Sequence, residues 1–165
     1  MNLKKLKILL ADDDTDDCMF FKQALDGLSP STELTTVRDG DELMKYLAAN
    51  CDQLPHVLFL DINMPRKDGM ECLNEIKKDN KLKELPVVMF STSNSWSTIN
   101  KLFSCGAHVY IRKPSDFAQL KQVIHHALPL AAEKIFSNSP LKYVLNAPNN
   151  DPWPADKEKK KKTAN

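Results

Sequence analysis

The sequence predicts an α/β fold built on a doubly wound parallel sheet, and three observations predict it. Short apolar runs alternate with stretches of helical periodicity five times between Lys7 and Leu128, the pattern of repeated strand–helix units. Three of those runs, Ile8-Leu9-Leu10-Ala11, Val57-Leu58-Phe59-Leu60 and Val87-Val88-Met89-Phe90, are apolar throughout, as strands are when helices cover both faces of their sheet. The 165 residues are 42% hydrophobic and 27% charged, the balance of one globular domain with a core of its own.

Each element follows from local pattern. The first strand runs to Ala11. The helix after it carries Cys18, Phe21, Ala24, Leu25 and Leu28 on one face; Asp14 or Thr15 can cap it, Asp16 and Asp17 suit its positive end, and Gly27, Ser29 and Pro30 end it. Leu34-Thr35-Thr36-Val37 is the second strand, Asp39-Gly40 marks a turn, and Leu43, Met44, Leu47 and Ala48 form the next apolar stripe. The third strand, Val57 to Leu60, ends at Asp61, and a loop with Pro65 and Gly69 leads to a helix carrying Met70, Leu73 and Ile76. Pro86 opens the fourth strand, which ends at Ser91; Trp96, Ile99, Leu102 and Phe103 mark the helix that follows. His108 to Ile111 is the fifth strand, and Phe117, Leu120, Ile124, Ala127 and Leu128 line the last helix. Right-handed crossovers leave few layouts for five such units. Strand order 2-1-3-4-5, the flavodoxin-like (βα)5 sheet, is the common one.

Composition excludes several function classes. With 23 basic and 22 acidic residues the net charge is +1, without the strongly basic footprint of a nucleic-acid binder. No apolar run approaches the ~20 residues of a membrane helix, and the N-terminal run stops at Asp12, too early for a signal-peptide core. Cys18, Cys51, Cys72 and Cys105 lie far apart with no CxxC, which fits reduced thiols in the cytoplasm better than a zinc site.

Function is legible at the strand ends. In doubly wound sheets ligands bind at the carboxyl edge. Strand one ends in Asp12 and Asp13, strand three in Asp61 and strand four in Ser91, and Lys113 follows strand five. Carboxylates crowded on one edge repel one another and call for a cation, and hard oxygen ligands favour Mg2+. Such a cation also neutralises an incoming phosphoryl group, Lys113 balances the remaining charge, and Ser91 donates a hydrogen bond. The constellation describes metal-assisted phosphoryl transfer to an aspartate nucleophile. Asp14, Asp16 and Asp17 are most simply helix-capping and dipole residues. A calcium loop beginning at Asp12 fails, because Asp17 stands where its turn glycine belongs and Gln23 where its bidentate glutamate belongs.

The segments KILLADDD, LFLDINMPRKDG, VVMFSTSNS and VYIRKPSDF carry a resemblance to the receiver domain of two-component response regulators, over about residues 5–129. The third segment is the most specific: Asp61, Met64, Pro65, Asp68 and Gly69 fall on the family's D-x-x-M-P-x-x-D-G pattern. The resemblance implies that Asp61 is the phosphoacceptor and that Asp13 ligates Mg2+ directly. It further implies that Asp12 assists, often through water, and that Asn63 offers its backbone carbonyl. Ser91 and Tyr110 match the hydroxyl and aromatic switch residues, with Tyr110 turning inward on activation. Lys113 matches the phosphoryl-contacting lysine, and its bond to Pro114 is expected to be cis. Thr92 is branched where the family has a small residue, and is expected to narrow access to Asp61; Ala11 replaces the more usual Val or Ile.

The resemblance implies a signalling domain rather than an enzyme, catalysing at most its own phosphotransfer and dephosphorylation. The phosphodonor would be a sensor histidine kinase or a histidine phosphotransfer protein. A downstream protein would read the surface of helix four, strand five and helix five, which is also the face of an expected homodimer. An alternative from the enzyme class is a Mg2+-dependent phosphohydrolase of the haloacid dehalogenase type, with Asp12 as nucleophile; it leaves the D-x-x-M-P pattern unexplained. A scaffold that works without phosphorylation is a third. Residues 1–129 form the expected receiver, with no DNA-binding output domain after it. Residues 130–165 form a C-terminal extension, rich in Pro and Asn and ending in a lysine run, in which Leu141, Tyr143, Val144 and Leu145 are able to dock but solvation is the simpler expectation.

Overall fold

A computed structural model describes residues 5–27, 31–132 and 143–145. The elements are β1 (Leu6–Ala11), α1 (Thr15–Asp26), β2 (Thr32–Val37), α2 (Gly40–Ala49), β3 (Val57–Leu60), α3 (Gly69–Lys78), β4 (Val87–Ser91), α4 (Trp96–Ser104), β5 (Val109–Arg112), α5 (Phe117–Ala132) and β6 (Tyr143–Leu145). The sheet runs β2-β1-β3-β4-β5-β6, and every adjacent pair is parallel. The expected order 2-1-3-4-5 is therefore present, with one strand added at its end.

Side-chain alternation explains the wholly apolar strands. Leu9, Leu58, Leu60, Met89 and Tyr110 face α2, α3 and α4, where Leu43, Leu47, Leu73, Ile76, Ile99 and Leu102 meet them. The intervening Ile8, Leu10, Phe59, Val88, Phe90 and Ile111 face α1 and α5, against Phe21, Ala24, Ile124 and Ala127. Phe21, Phe59 and Phe90 meet edge to face with centroids 4.9, 5.8 and 6.2 Å apart. Burying one such side chain stabilises the fold by about 1.5–3 kcal/mol, so two full layers hold the strand ends in fixed register. Hydrogen bonds continue the ladder past each strand: Asp12 N–H donates to Val37 O (3.0 Å), Asp61 N–H to Ala11 O (3.0 Å) and Lys113 N–H to Ser91 O (2.8 Å). The functional residues are thus fixed at the backbone.

Four details differ from the sequence expectation. β2 begins at Thr32, and only Val37 of its six residues is buried because it is an edge strand. Gly40 is the first residue of α2 rather than part of a free turn, with Asp39 as the N-cap accepting from Glu42 N–H at 2.8 Å. α5 continues to Ala132, beyond Leu128 where its expected apolar stripe ends. The fourth difference is β6, a segment expected to be solvated. It pairs with β5 in the register Tyr110↔Val144 and Ile111↔Leu145, and Val144 and Leu145 pack at the edges of the two core layers. An open edge of β5 would leave a row of unpaired donors and acceptors, and Tyr-Val-Leu has the β-branched and aromatic composition that suits a strand. Leu141 and the terminal lysine run lie outside the described residues. No helix among the described residues is long and apolar enough to cross a membrane.

Candidate functional site

Asp12, Asp61 and Ser91 are the buried polar residues of the described fold, at 0%, 6% and 0% exposure. All three stand at the carboxyl edge of the sheet. Asp13 joins them from the exposed side: one carboxylate oxygen from each of Asp12, Asp13 and Asp61 lies within 4.8 Å of the others. From the β5–α5 loop Lys113 reaches in. Its Nζ lies 2.6 Å from Asp12 Oδ2, 2.9 Å from Asp17 Oδ2 and 3.5 Å from Asp61 Oδ2, and 5.3 Å from the centroid of the Phe90 ring.

Electrostatics follow from burial. Desolvation pushes the Asp61 carboxyl up to about 6; Lys113 opposes this, Asp12 adds to it, and the N–H groups of Ile62 and Asn63 bond the carboxylate and lower it. Asp12 is also raised by burial, with Lys113 pulling the other way. Burial alone would lower the Lys113 ammonium, but the Asp61 and Asp12 carboxylates outweigh it and hold it above the ordinary lysine value. The pocket therefore keeps one firm cation and an excess of carboxylate.

The loop after β3 explains its motif residue by residue. Met64 is buried in the core. Lys67 N–H donates to Pro65 O at 2.8 Å across Arg66, whose φ of 69° completes a γ-turn. Asp68 caps α3 by accepting from Glu71 N–H at 2.9 Å. Gly69 donates to Ile62 O at 2.8 Å, and a Cβ there would stand 2.1 Å from Asp61 O. Only glycine lets α3 begin this close to the strand end.

Ser91 and Tyr110 are both fully buried. Ser91 Oγ accepts from Ser93 N–H at 3.4 Å, and Tyr110 OH donates to Ser93 O at 2.8 Å. The Tyr110 ring packs in the core layer that faces α2, α3 and α4. Thr92 is exposed. The Lys113–Pro114 bond is trans, against the cis expectation, since the described residues contain no cis peptide. Trans is the intrinsically favoured isomer even before proline, and the backbone and ammonium bonds of Lys113 hold the loop without a cis turn.

Asp17 is the participant that sequence reasoning missed. Asp14 caps α1, accepting from Asp17 N–H at 2.9 Å, but the Asp17 carboxylate turns to Lys113 rather than serving the helix dipole alone. Its position in the first turn after a functional strand end was the available signal. Burial pushes the Cys18 thiol up to about 11 and the Cys72 thiol to about 12.

The response regulator receiver domain model matches residues 8–125. The chain belongs to the response regulator receiver family. Within the family the chain is 31% identical to the probable methanogenesis regulatory protein FilR2 of Methanothrix harundinacea, over 71% of this chain and 77% of that protein. It is 30% identical to the response regulator Rcp1 of a Synechocystis species, over 71% and 82%. Among solved structures, the phosphorylated cyanobacterial phytochrome response regulator RcpA is 37% identical, with a TM-score of 0.71, over 76% of this chain and 93% of that one. The Mn2+-bound form of Rcp1 is 27% identical, with a TM-score of 0.68, over 82% and 97%. The receiver match sets aside the haloacid dehalogenase alternative and leaves the β3 motif fully explained. Receivers are signalling domains, and the acidic cluster of this one is compatible with a divalent cation.

Proposed function

We propose that this receiver accepts a phosphoryl group from the phosphohistidine of a sensor histidine kinase or histidine phosphotransfer protein onto Asp61. The observation that carries the reading is the placement of Asp61: buried, grouped with Asp12 and Asp13 on one side and 3.5 Å from the Lys113 ammonium on the other. An Asp61 carboxylate oxygen attacks phosphorus in line. The phosphorus–nitrogen bond breaks as the carboxylate–phosphorus bond forms, and the imidazole leaves. Lys113 stabilises the charge on the phosphoryl oxygens, and Ser91 donates a hydrogen bond to one of them.

Three hard carboxylates against one ammonium fit a small divalent cation, and Mg2+ is the proposed one. Asp12, Asp13 and Asp61 would hold it with the backbone carbonyl of Asn63. When bound, it offsets the negative charge of the incoming phosphoryl group. A cleft of about 190 Å3 beside Lys113, lined in part by Phe20, Phe90, Pro114 and Phe117, leaves Phe20 and Phe117 exposed as apolar footing for the phosphodonor protein.

The acyl phosphate then biases a conformational equilibrium through Ser91 and Tyr110. Its output is the surface of α4, β5 and α5, which a downstream protein or a second copy of the chain reads. β6 lies along that surface, so a dimer formed there must include or displace it. The receiver spans residues 1–129, residues 130–165 are its extension, it acts in the cytoplasm, and its catalysis is limited to its own phosphotransfer and dephosphorylation.

The test is incubation with acetyl phosphate and Mg2+, followed by intact-mass analysis. Wild type should gain one phosphoryl group and Asp61→Asn none; an unchanged adduct in the variant refutes the assignment. A panel of histidine kinases then identifies the donor. Phytochrome-type kinases belong in it, because RcpA, 37% identical to this chain, is a cyanobacterial phytochrome response regulator.

A further inference from the structure

We propose that Asp17 is a positioning residue that tethers Lys113 to α1, so that a phosphoryl group on Asp61 has to draw the ammonium away from it. The inference rests on the phosphoacceptor reading above and adds a residue to it. An ammonium has three N–H donors. The two shortest contacts of Lys113 go to Asp12 at 2.6 Å and Asp17 at 2.9 Å, and Asp61 stands further off at 3.5 Å. The Lys113 side chain is only 8% exposed, so water does little to replace a lost partner.

The three carboxylates around Lys113 are not equivalent. Asp12 and Asp61 also belong to the cation cluster with Asp13, whereas Asp17 lies outside it. A cation in that cluster would compete with Lys113 for Asp12 and Asp61, and Asp17 would remain as the carboxylate partner outside the cluster. Asp17 is also well anchored: its N–H is bonded to the Asp14 cap at 2.9 Å, and α1 is packed through Phe21 and Ala24 into the core. Phosphoryl oxygens arriving on Asp61 offer Lys113 a stronger acceptor. The bond to Asp17 is exchanged for one to the phosphoryl group, and the first turn of α1 loses its hold on the β5–α5 loop. The tether thus sets the phosphoryl affinity of the site and carries its occupancy to α1, a helix outside the α4–β5–α5 output surface.

The experiment is a beryllofluoride titration at saturating Mg2+, followed by fluorine NMR, with amide exchange of residues 15–20. Asp17→Asn keeps size and removes the charge. It should bind beryllofluoride about three- to tenfold more tightly than wild type. Its α1 amides should no longer respond to the mimic, whereas those of wild type should. Asp17→Glu should restore both behaviours. Asp16→Asn removes a charge from the same turn at an exposed position and should leave the affinity at the wild-type value. Equal or weaker binding by Asp17→Asn would overturn the tether alone, as would equal tightening by Asp16→Asn, which would make the effect one of general acidity. No beryllofluoride binding by wild type would overturn the tether together with the phosphoacceptor reading.

Discussion

Asp61 lies in an environment that opposes its own ionisation, and this sets the pH behaviour of the site. Burial raises it from 3.8 to about 6, so the folded chain retains a proton there over a range where the unfolded chain has lost it. Without a divalent cation, the ionisation of this group therefore costs stability as pH rises from about 4 to about 6, a shift equivalent to about 3 kcal/mol. Asp61→Asn should accordingly gain stability over wild type across that interval in chelator, being similar at pH 4 and more stable at pH 7. Urea unfolding at the two pH values measures this, and a constant difference would contradict the burial argument. Cation binding needs the ionised form, so affinity for Mg2+ should fall as pH drops through about 6. The acidic run is not uniform either. Asp13→Ala should weaken Mg2+ binding strongly and Asp16→Ala little, because Asp13 belongs to the cluster and Asp16 does not. Isothermal titration separates that outcome from equal losses, which would mean a diffuse cation trap.

At the scale of elements, helix starts decide how accurately the site is built. Asp14, Asp39, Asp68 and Ser95 each cap the helix that follows a strand, so the loops are short and their geometry is fixed by side-chain-to-backbone bonds. The approach that bears on Asp61 is at α3, where a Cβ on Gly69 would stand 2.1 Å from Asp61 O and 2.8 Å from Ile62 Cα. Both are backbone atoms and cannot rotate away. Gly69→Ala should therefore destabilise the fold by about 1–3 kcal/mol and weaken beryllofluoride binding by moving Asp61. Gly27→Ala makes the contrast. Its Cβ would meet only the end of the Lys121 side chain, at 2.7 Å from Nζ, and its φ of −82° suits alanine. That substitution should be neutral or slightly stabilising. Denaturant curves of the two variants compare them directly.

For the whole molecule, β6 changes what the sheet exposes. In its absence β5 would be the edge strand, with Tyr110 on its inner layer next to open solvent. With β6 in place, Val144 pairs with Tyr110 in register and packs against the same core layer. Removing residues 140–165 should therefore leave the fold intact, because both core layers are complete without that segment. The same truncation should raise amide exchange at Val109, Tyr110 and Ile111, which lose their cover. Exchange unchanged at β5 after truncation would mean that the strand contributes no protection.

The sequence by itself determined the architecture and most of the site. Periodicity is a local property, and alternating runs of apolar strand and amphipathic helix admit few parallel sheets. Asp12, Asp13, Asp61, Ser91 and Lys113 were legible because each stands at the end of a strand, where chain order alone assigns it to one edge. Tertiary structure decided the rest. Asp17 has the composition of a helix-dipole residue, and only the approach of the β5–α5 loop turns its carboxylate onto Lys113. Tyr143 to Leu145 is three residues in a polar segment, too short to give a period; it becomes a strand because β5 offers an unpaired edge. The hydrogen bond from Tyr110 OH to Ser93 O likewise depends on a partner distant in the chain. Local pattern specifies which elements form and in what order. Contacts between residues far apart in sequence depend on packing geometry, which local pattern does not encode.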